Sequence, residues 1–239
     1  MHGFVTMAHP LVEAILTTAK QHADTAEVVL CPPAILIPRL AEWLMGTVVK
    51  LGGQDCHTEA HGAFTGSISA PMLVDADCEY VIVGHSERRL QHHETNTEVC
   101  KKADSAIKAD LIPIICIGET ADERAGGNAE AVVGRQVTEC LPDEAISSDF
   151  VLAYEPVWAI GSGKVPSSDD IRKMHATIQS VASKRIGLKP AQVRVLYGGS
   201  VNAANASEIM AIEGVAGVLV GGASLKAEDF CRIVESAEC

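Results

Sequence analysis

Apolar residues in this chain fall into short continuous runs that alternate with longer runs of helical period. Continuous runs rich in β-branched residues are typical of strands buried on both faces of a parallel sheet. We therefore predict seven strands within residues 27–31, 48–55, 80–84, 112–118, 150–156, 193–199 and 216–222.

Amphipathic patterns between these runs predict helices, which alternate with the strands along the chain. The predicted helices cover residues 34–44, 96–109, 129–140, 168–186, 204–211 and 227–236. A further helix is predicted over residues 10–20, with Pro10 in its first turn, and almost no strand precedes it. No linker divides the chain, so we predict a single domain over residues 1–239. Regular βα repetition places the chain in the α/β class and favours a TIM (β/α)₈ barrel, which typically has about 250 residues. The predicted barrel is one strand short, with seven βα units.

Composition limits the partners that this chain can have. The net charge of −12 argues against non-specific binding to nucleic acid or to an anionic membrane. An anionic small ligand held by backbone amides stays compatible with that charge. We expect no membrane span and no secretory signal. The eight cysteines are spread singly, which indicates reduced thiols and a cytoplasmic location.

Polar and glycine residues follow the predicted strands at their carboxyl ends. In a parallel barrel these ends meet on one face, where such folds build active sites. We therefore expect an active site among these residues: Gln54, His85, Ser86, Glu87, Glu119, Glu155, Gly198, Gly199, Ser200, Gly221 and Gly222.

Six stretches, in this order and spacing, resemble the triosephosphate isomerase family over the whole chain. They are GAFTGSIS (62–69), YVIVGHSERR (80–89), IICIGET (114–120), VLAYEPVWAIGSGK (151–164), VLYGGSVNAAN (195–205) and GVLVGGASL (217–225). The resemblance implies a cytoplasmic TIM barrel that serves glycolysis and gluconeogenesis. Its reaction interconverts D-glyceraldehyde 3-phosphate and dihydroxyacetone phosphate through an enediolate, with no cofactor or metal, in a homo-oligomer.

Glu155 and His85 are the predicted catalytic residues. A carboxylate at the end of an apolar strand is partly desolvated, which suits a general base. By resemblance, Glu155 takes the substrate proton and His85 is a neutral electrophile. Helical amides presented to its ring disfavour an imidazolium. Glu87 is expected to be an accessory acid or an orienting group. Without the motif context, Glu155 and His85 would both be read as structural residues.

A lid and a phosphate site complete the predicted active site. The segment PVWAIGSGK has a stiff start, an apolar tip and glycines near its end, as a closing loop needs. Its residues are Pro156, Val157, Trp158, Ala159, Ile160, Gly161, Ser162, Gly163 and Lys164. Glycine amides let an anion approach the backbone closely. The predicted phosphate-binding residues are Gly161, Ser200, Gly221 and Gly222; as isolated glycine pairs they would be read as turns.

The N-terminus departs from the family pattern, which begins with a strand ending in Asn-x-Lys-Met-[Asn/His]-Gly. Met1, His2 and Gly3 match only the tail of that pattern, so the first strand and its Asn-x-Lys are missing from these 239 residues. We expect very weak or no isomerase activity and an altered assembly. Asp55 replaces the usual Asn and Ser67 the usual acidic residue, and both bear on the usual dimer contacts.

Two other functions compete with this interpretation. The first is a non-catalytic phosphate-binding barrel derived from the enzyme, which the missing lysine favours. The second is another phosphosugar barrel enzyme, which the short loops and complete lid argue against. A metal site at Cys56, His57 and His61 is also considered and set aside, because these residues fall in the loop that carries GAFTGSIS.

Overall fold

Seven strands form one parallel sheet in the order in which they occur in the chain. The structure is a computed structural model that describes residues 2–143, 145, 148–160 and 165–238. The strands are β1 (Val29–Leu30), β2 (Lys50–Gly53), β3 (Tyr80–Val83), β4 (Ile112–Ile117), β5 (Val151–Tyr154), β6 (Val195–Tyr197) and β7 (Gly217–Val218). All seven predicted strands are confirmed.

Ten α-helices occur in the described part of the chain. They are α1 (Val5–Gln21), α2 (Ile37–Leu44), α3 (Ala70–Asp75), α4 (Ser86–Gln91), α5 (Asn96–Lys108), α6 (Ala121–Ala125), α7 (Ala129–Cys140), α8 (Ser168–Ile186), α9 (Ala206–Met210) and α10 (Ala227–Glu235). The predicted helices are confirmed, and α3, α4 and α6 are additional. No helix in the described ranges is long and apolar enough to cross a membrane.

The first helix corrects one prediction. Because α1 begins at Val5, Pro10 lies inside the helix rather than in its first turn. Proline lacks the N–H that would bond the Thr6 carbonyl, but its fixed φ is compatible with helix. Thr6 and Pro10 are both exposed, so water can satisfy that carbonyl.

The strands have apolar side chains on both faces, which explains their continuous apolar sequence. Tyr80 and Ile82 of β3 pack with Ile114, Cys116 and other residues in a small cluster on one face of the sheet. Val81 and Val83 belong instead to the large core between the sheet and the helices. This alternation buries both faces, as expected for a parallel barrel.

The sheet has two edge strands, whereas the helices outside it form a continuous layer. Within the described residues, β1 pairs only with β2 and β7 only with β6. Outside the sheet, α1 packs against α10, and the Cys231 thiol donates to the Ala14 carbonyl at 3.7 Å. The helical layer is therefore continuous where the sheet is open.

No disulfide joins the cysteines of the described residues, which are Cys31, Cys56, Cys78, Cys100, Cys116, Cys140 and Cys231.

Candidate active site

Glu155 directly follows β5, at the carboxyl end of the strand, and is 2% exposed. Its backbone N–H donates to the Ile117 carbonyl at 2.8 Å, which extends the β4–β5 ladder by one residue. A Cβ on Gly118 would lie 1.7 Å from the Glu155 carbonyl oxygen. Only glycine fits at position 118, because the absence of a side chain leaves room for the Glu155 backbone.

The carboxylate of Glu155 contacts the first residues after β3. Its Oε1 lies 2.9 Å from Nε2 of His85. Its Oε2 accepts a hydrogen bond from the Ser86 backbone N–H at 2.9 Å, and the Ser86 hydroxyl lies 3.3 Å from Oε1. The structure thus brings the two predicted catalytic residues together. Ser86, which had no predicted role of its own, holds the Glu155 carboxylate through its backbone and its hydroxyl.

His85 is the N-cap of α4, and Gly84 before it has a φ of 68° that favours glycine. The Glu87 backbone N–H donates to Nδ1 of His85 at 3.3 Å, so this nitrogen is an acceptor and Nε2 carries the proton toward Glu155. Burial lowers the pKa of His85, while the hydrogen bond and charge of Glu155 and the charge of Glu87 raise it. The net pKa lies above the ordinary 6.5.

The direction of this pKa differs from the neutral histidine that the sequence predicts. The upward contributions come mainly from Glu155 in its present position beside the ring. The amide at Nδ1 opposes a second proton, because an imidazolium has no acceptor there. Movement of Glu155 away from the imidazole would remove most of the contributions that raise this pKa and would favour the neutral form.

Replacement of Glu155 by glutamine should lower the pKa of His85. The change removes the negative charge that raises it and leaves burial, which lowers it. The folded pKa of His85 lies above its unfolded value of 6.5. The contact of His85 with Glu155 therefore stabilises the fold fully below pH 6.5, and this stabilisation is lost as pH rises through the folded pKa. Imidazole NMR titration of both proteins tests this. An unchanged His85 pKa in the variant would contradict the geometry described above.

Glu87 contributes its backbone amide, and its side chain is exposed. Its carboxylate acts on His85 only through charge, which raises the pKa of the imidazole. The role of Glu87 as an accessory acid or an orienting group stays a prediction. Its backbone amide gives a physical basis for orienting the His85 ring, because it donates to Nδ1.

The beginning of the lid is anchored on a buried carboxylate. Residues Val157–Ala159 form one 3₁₀ turn, and the Trp158 indole N–H donates to Oε1 of Glu119 at 2.8 Å. The Tyr154 hydroxyl donates to the same oxygen at 3.1 Å, and burial together with the Glu119 charge raises the pKa of Tyr154. Arg124 stacks over the Trp158 ring at 4.5 Å and also contacts Glu119 at 3.4 Å. The remaining lid residues, Gly161, Ser162, Gly163 and Lys164, lie outside the described residues.

Replacement of Glu119 by glutamine should destabilise the protein and release the Trp158 indole. The carboxylate is fully buried and accepts from three donors, and its loss weakens charge-assisted hydrogen bonds at a cost of about 1–3 kcal/mol. Urea unfolding and tryptophan fluorescence measure the two effects. Glu123→Gln in the capping box of α6 is a control for destabilisation without a contact to Trp158. Unchanged fluorescence in Glu119→Gln would contradict the anchor.

The predicted phosphate-binding residues follow β6 and β7. The Ser200 hydroxyl donates to the Ala159 carbonyl of the lid at 2.9 Å. Gly221 and Gly222 are exposed, and a Cβ on either would meet nothing within 4 Å. Gly222 begins the 3₁₀ turn Gly222–Leu225, whose first amides are free of a side chain that could block an anion. Gly161 lies outside the described residues.

Two of the three residues weighed as metal ligands have other partners. The Cys56 thiol faces the Lys102 carbonyl at 3.7 Å, and the Glu59 backbone N–H donates to Nδ1 of His57 at 3.0 Å. His61 is exposed.

Fold and site together define a class: a parallel βα-barrel enzyme with a glutamate–histidine pair at the carboxyl ends of its strands. The chain belongs to the triosephosphate isomerase family, since the family model described as Triosephosphate isomerase matches residues 1–237. The predicted family and barrel fold are thereby confirmed.

Individual relatives agree with this assignment. The triosephosphate isomerase of Afipia carboxidovorans is 52% identical over 210 residues, which cover 88% of this chain and 84% of that protein. The triosephosphate isomerase of Ruegeria pomeroyi is 48% identical over 229 residues, covering 95% and 91%. The crystal structure of triosephosphate isomerase from Bartonella henselae superposes with a TM-score of 0.90 at 39% identity, covering 99% of this chain and 94% of that one.

Proposed function

We propose that this barrel interconverts D-glyceraldehyde 3-phosphate and dihydroxyacetone phosphate through an enediolate. The observation that carries the proposal is the buried Glu155 carboxylate, held 2.9 Å from both His85 Nε2 and the Ser86 amide. A desolvated carboxylate beside an imidazole N–H supplies a base for the carbon-bound proton and a donor for the substrate oxygen.

The reaction uses the residues in sequence. Glu155 leaves His85 and removes the proton from the carbon next to the carbonyl. The N–H at Nε2 of His85 stabilises the developing oxyanion, while the Glu87 amide keeps Nδ1 an acceptor. The lid excludes water from the enediolate, and amides at Gly161, Gly221 and Gly222 with Ser200 hold the phosphate. The proton of the substrate hydroxyl passes to the other enediolate oxygen, and return of the first proton to the neighbouring carbon gives the product. No cofactor or metal takes part.

We also propose that the polypeptide of these 239 residues catalyses this reaction very weakly or not at all. Residues 1–4, which precede the first helix, contain no Asn-x-Lys. Among the described residues, β1 and β7 each pair with a neighbouring strand on one side. An anionic transition state without a positioned cation loses on the order of 10³-fold in rate.

Two measurements on the same sample test the proposal and its rival, a non-catalytic phosphate-binding barrel. A coupled isomerase assay measures turnover, and a thermal shift with 2-phosphoglycolate measures binding of an enediolate analogue. Low turnover that disappears in Glu155→Gln supports the weak isomerase. A thermal shift with no turnover supports the binding protein. The absence of both turnover and a thermal shift would contradict both functions.

We further propose a homo-oligomer in the cytoplasm. Large apolar side chains are exposed on the loop after β2 and on the next helices, namely Phe64 (44%), Met72 (57%) and Leu90 (60%). The open edges of β1 and β7 give a reason for a non-standard interface. Free thiols in the described residues fit a reducing compartment. A solution mass measurement that finds a stable monomer would contradict the oligomer.

A further inference from the structure

Four charged side chains outside the active site form a closed ring of ion pairs. Lys102 Nζ lies 2.7 Å from Oδ1 of Asp55 and 2.6 Å from Oε1 of Glu94. Arg88 closes the ring, with Nε 2.5 Å from the same Glu94 oxygen and Nη2 3.0 Å from Oδ2 of Asp55. We call Asp55, Arg88, Glu94 and Lys102 the ion-pair ring.

The ion-pair ring connects the short helix α4 to the segment after β2 and to α5. Asp55 follows β2, Arg88 lies on α4, and Lys102 lies on α5. The N-cap of α4 is His85, and its first residue, Ser86, donates to Glu155. The orientation of this one helix therefore sets the positions of both groups that contact the base.

We propose that Asp55 is a positioning residue that holds α4, and through it His85 and Ser86, against Glu155. The proposal rests on the proposed function, because it gives Asp55 a part in that reaction. Each oxygen of Asp55 accepts from a cation on a different helix. An amide at this position would offer a single acceptor oxygen and turn its N–H₂ toward a cation, so only a carboxylate closes the ring.

The carboxylate of Asp55 is largely buried, so its ion pairs form against a desolvation penalty. Burial raises the pKa of this carboxyl; Lys102 and Arg88 lower it, Glu94 raises it, and the net pKa lies above the ordinary value. With the folded pKa above the unfolded one, ionisation of Asp55 lowers stability as pH rises through the folded pKa. A buried ion pair with little net gain in stability can still fix geometry.

The test compares Asp55→Asn with Asp104→Asn in the full 239-residue chain. The control is closely matched: the side chains of Asp55 and Asp104 are 24% and 27% exposed, and each lies 2.7 Å from a lysine. Asp104 pairs with Lys108 within α5 and has no ion pair to α4 in the described structure. Amide hydrogen exchange, imidazole ¹⁵N shifts of His85 and the urea midpoint are measured for each protein.

We expect Asp55→Asn to speed amide exchange in α4 by about tenfold while α8 keeps its rates. The ¹⁵N shifts of His85 should move toward a mixture of tautomers as the Glu87 amide loses its place. Asp104→Asn should leave α4 and His85 unchanged. Arg88→Lys, which keeps the charge but has one nitrogen for two carboxylates, should repeat the local effect.

Unchanged exchange in α4, or faster exchange in all helices with a lower urea midpoint, would overturn the positioning role. If Asp55→Asn does not fold, Arg88→Lys decides by the same readouts. Neither readout needs turnover, so a failed isomerase assay bears on the proposed function and leaves this test intact.

Discussion

A strand ending in Asn-x-Lys, added before Met1, should raise kcat/KM of this polypeptide by about 10³-fold or more. The added lysine places a cation beside an anionic transition state in a site closed to water. The added backbone gives the open edges of β1 and β7 a partner. Coupled assays of the two polypeptides measure the gain.

The matched control carries the same added strand with methionine in place of its lysine. It completes the sheet and keeps nearly the length of the lysine side chain without its charge. We expect it to raise the urea midpoint as much as the lysine version does and to leave turnover low. Equal turnover with methionine and lysine would show that sheet closure, rather than charge, limits the rate.

Glu155→Gln in the strand-extended polypeptide should lower kcat by about 10²–10⁴-fold. Glutamine keeps the size of the side chain and can still meet the Ser86 amide, but it cannot accept a proton from carbon. Binding of 2-phosphoglycolate should change far less than kcat, since the phosphate is held by other residues. The control is Glu42→Gln, an exposed glutamate on α2 that pairs with Arg39 outside the site. A comparable loss of kcat in the control would show that the effect is not specific to Glu155 and would contradict its role as the base.

The fold was predictable because both faces of the strands are buried. In β3, Tyr80 and Ile82 pack on one face of the sheet while Val81 and Val83 face the helices, so every position is apolar. Short helices give no comparable signal: α4 has six residues, less than two full turns. The start of α1 was mispredicted because Pro10 is tolerated at an exposed position inside this helix.

The active site was predictable only in part. Glu155 and His85 each follow a parallel strand, and such ends share one edge of a sheet, so their meeting follows from topology. The partners that control them come from elsewhere in the chain. Glu119 was expected at the site without its three donors, and Asp55 was interpreted through dimer contacts although it faces Arg88 and Lys102 of its own chain. Long-range ion pairs of this kind leave no periodic signal.

Deuterium uptake into dihydroxyacetone phosphate tests the central claim most directly, because it reports proton removal at carbon even where turnover is low. Substrate is incubated in D₂O with the strand-extended polypeptide or with its Glu155→Gln variant, and the C1 signal is followed by NMR. We expect deuterium at C1 with the former and essentially none with the variant. Equal uptake in both samples would show that another group is the base.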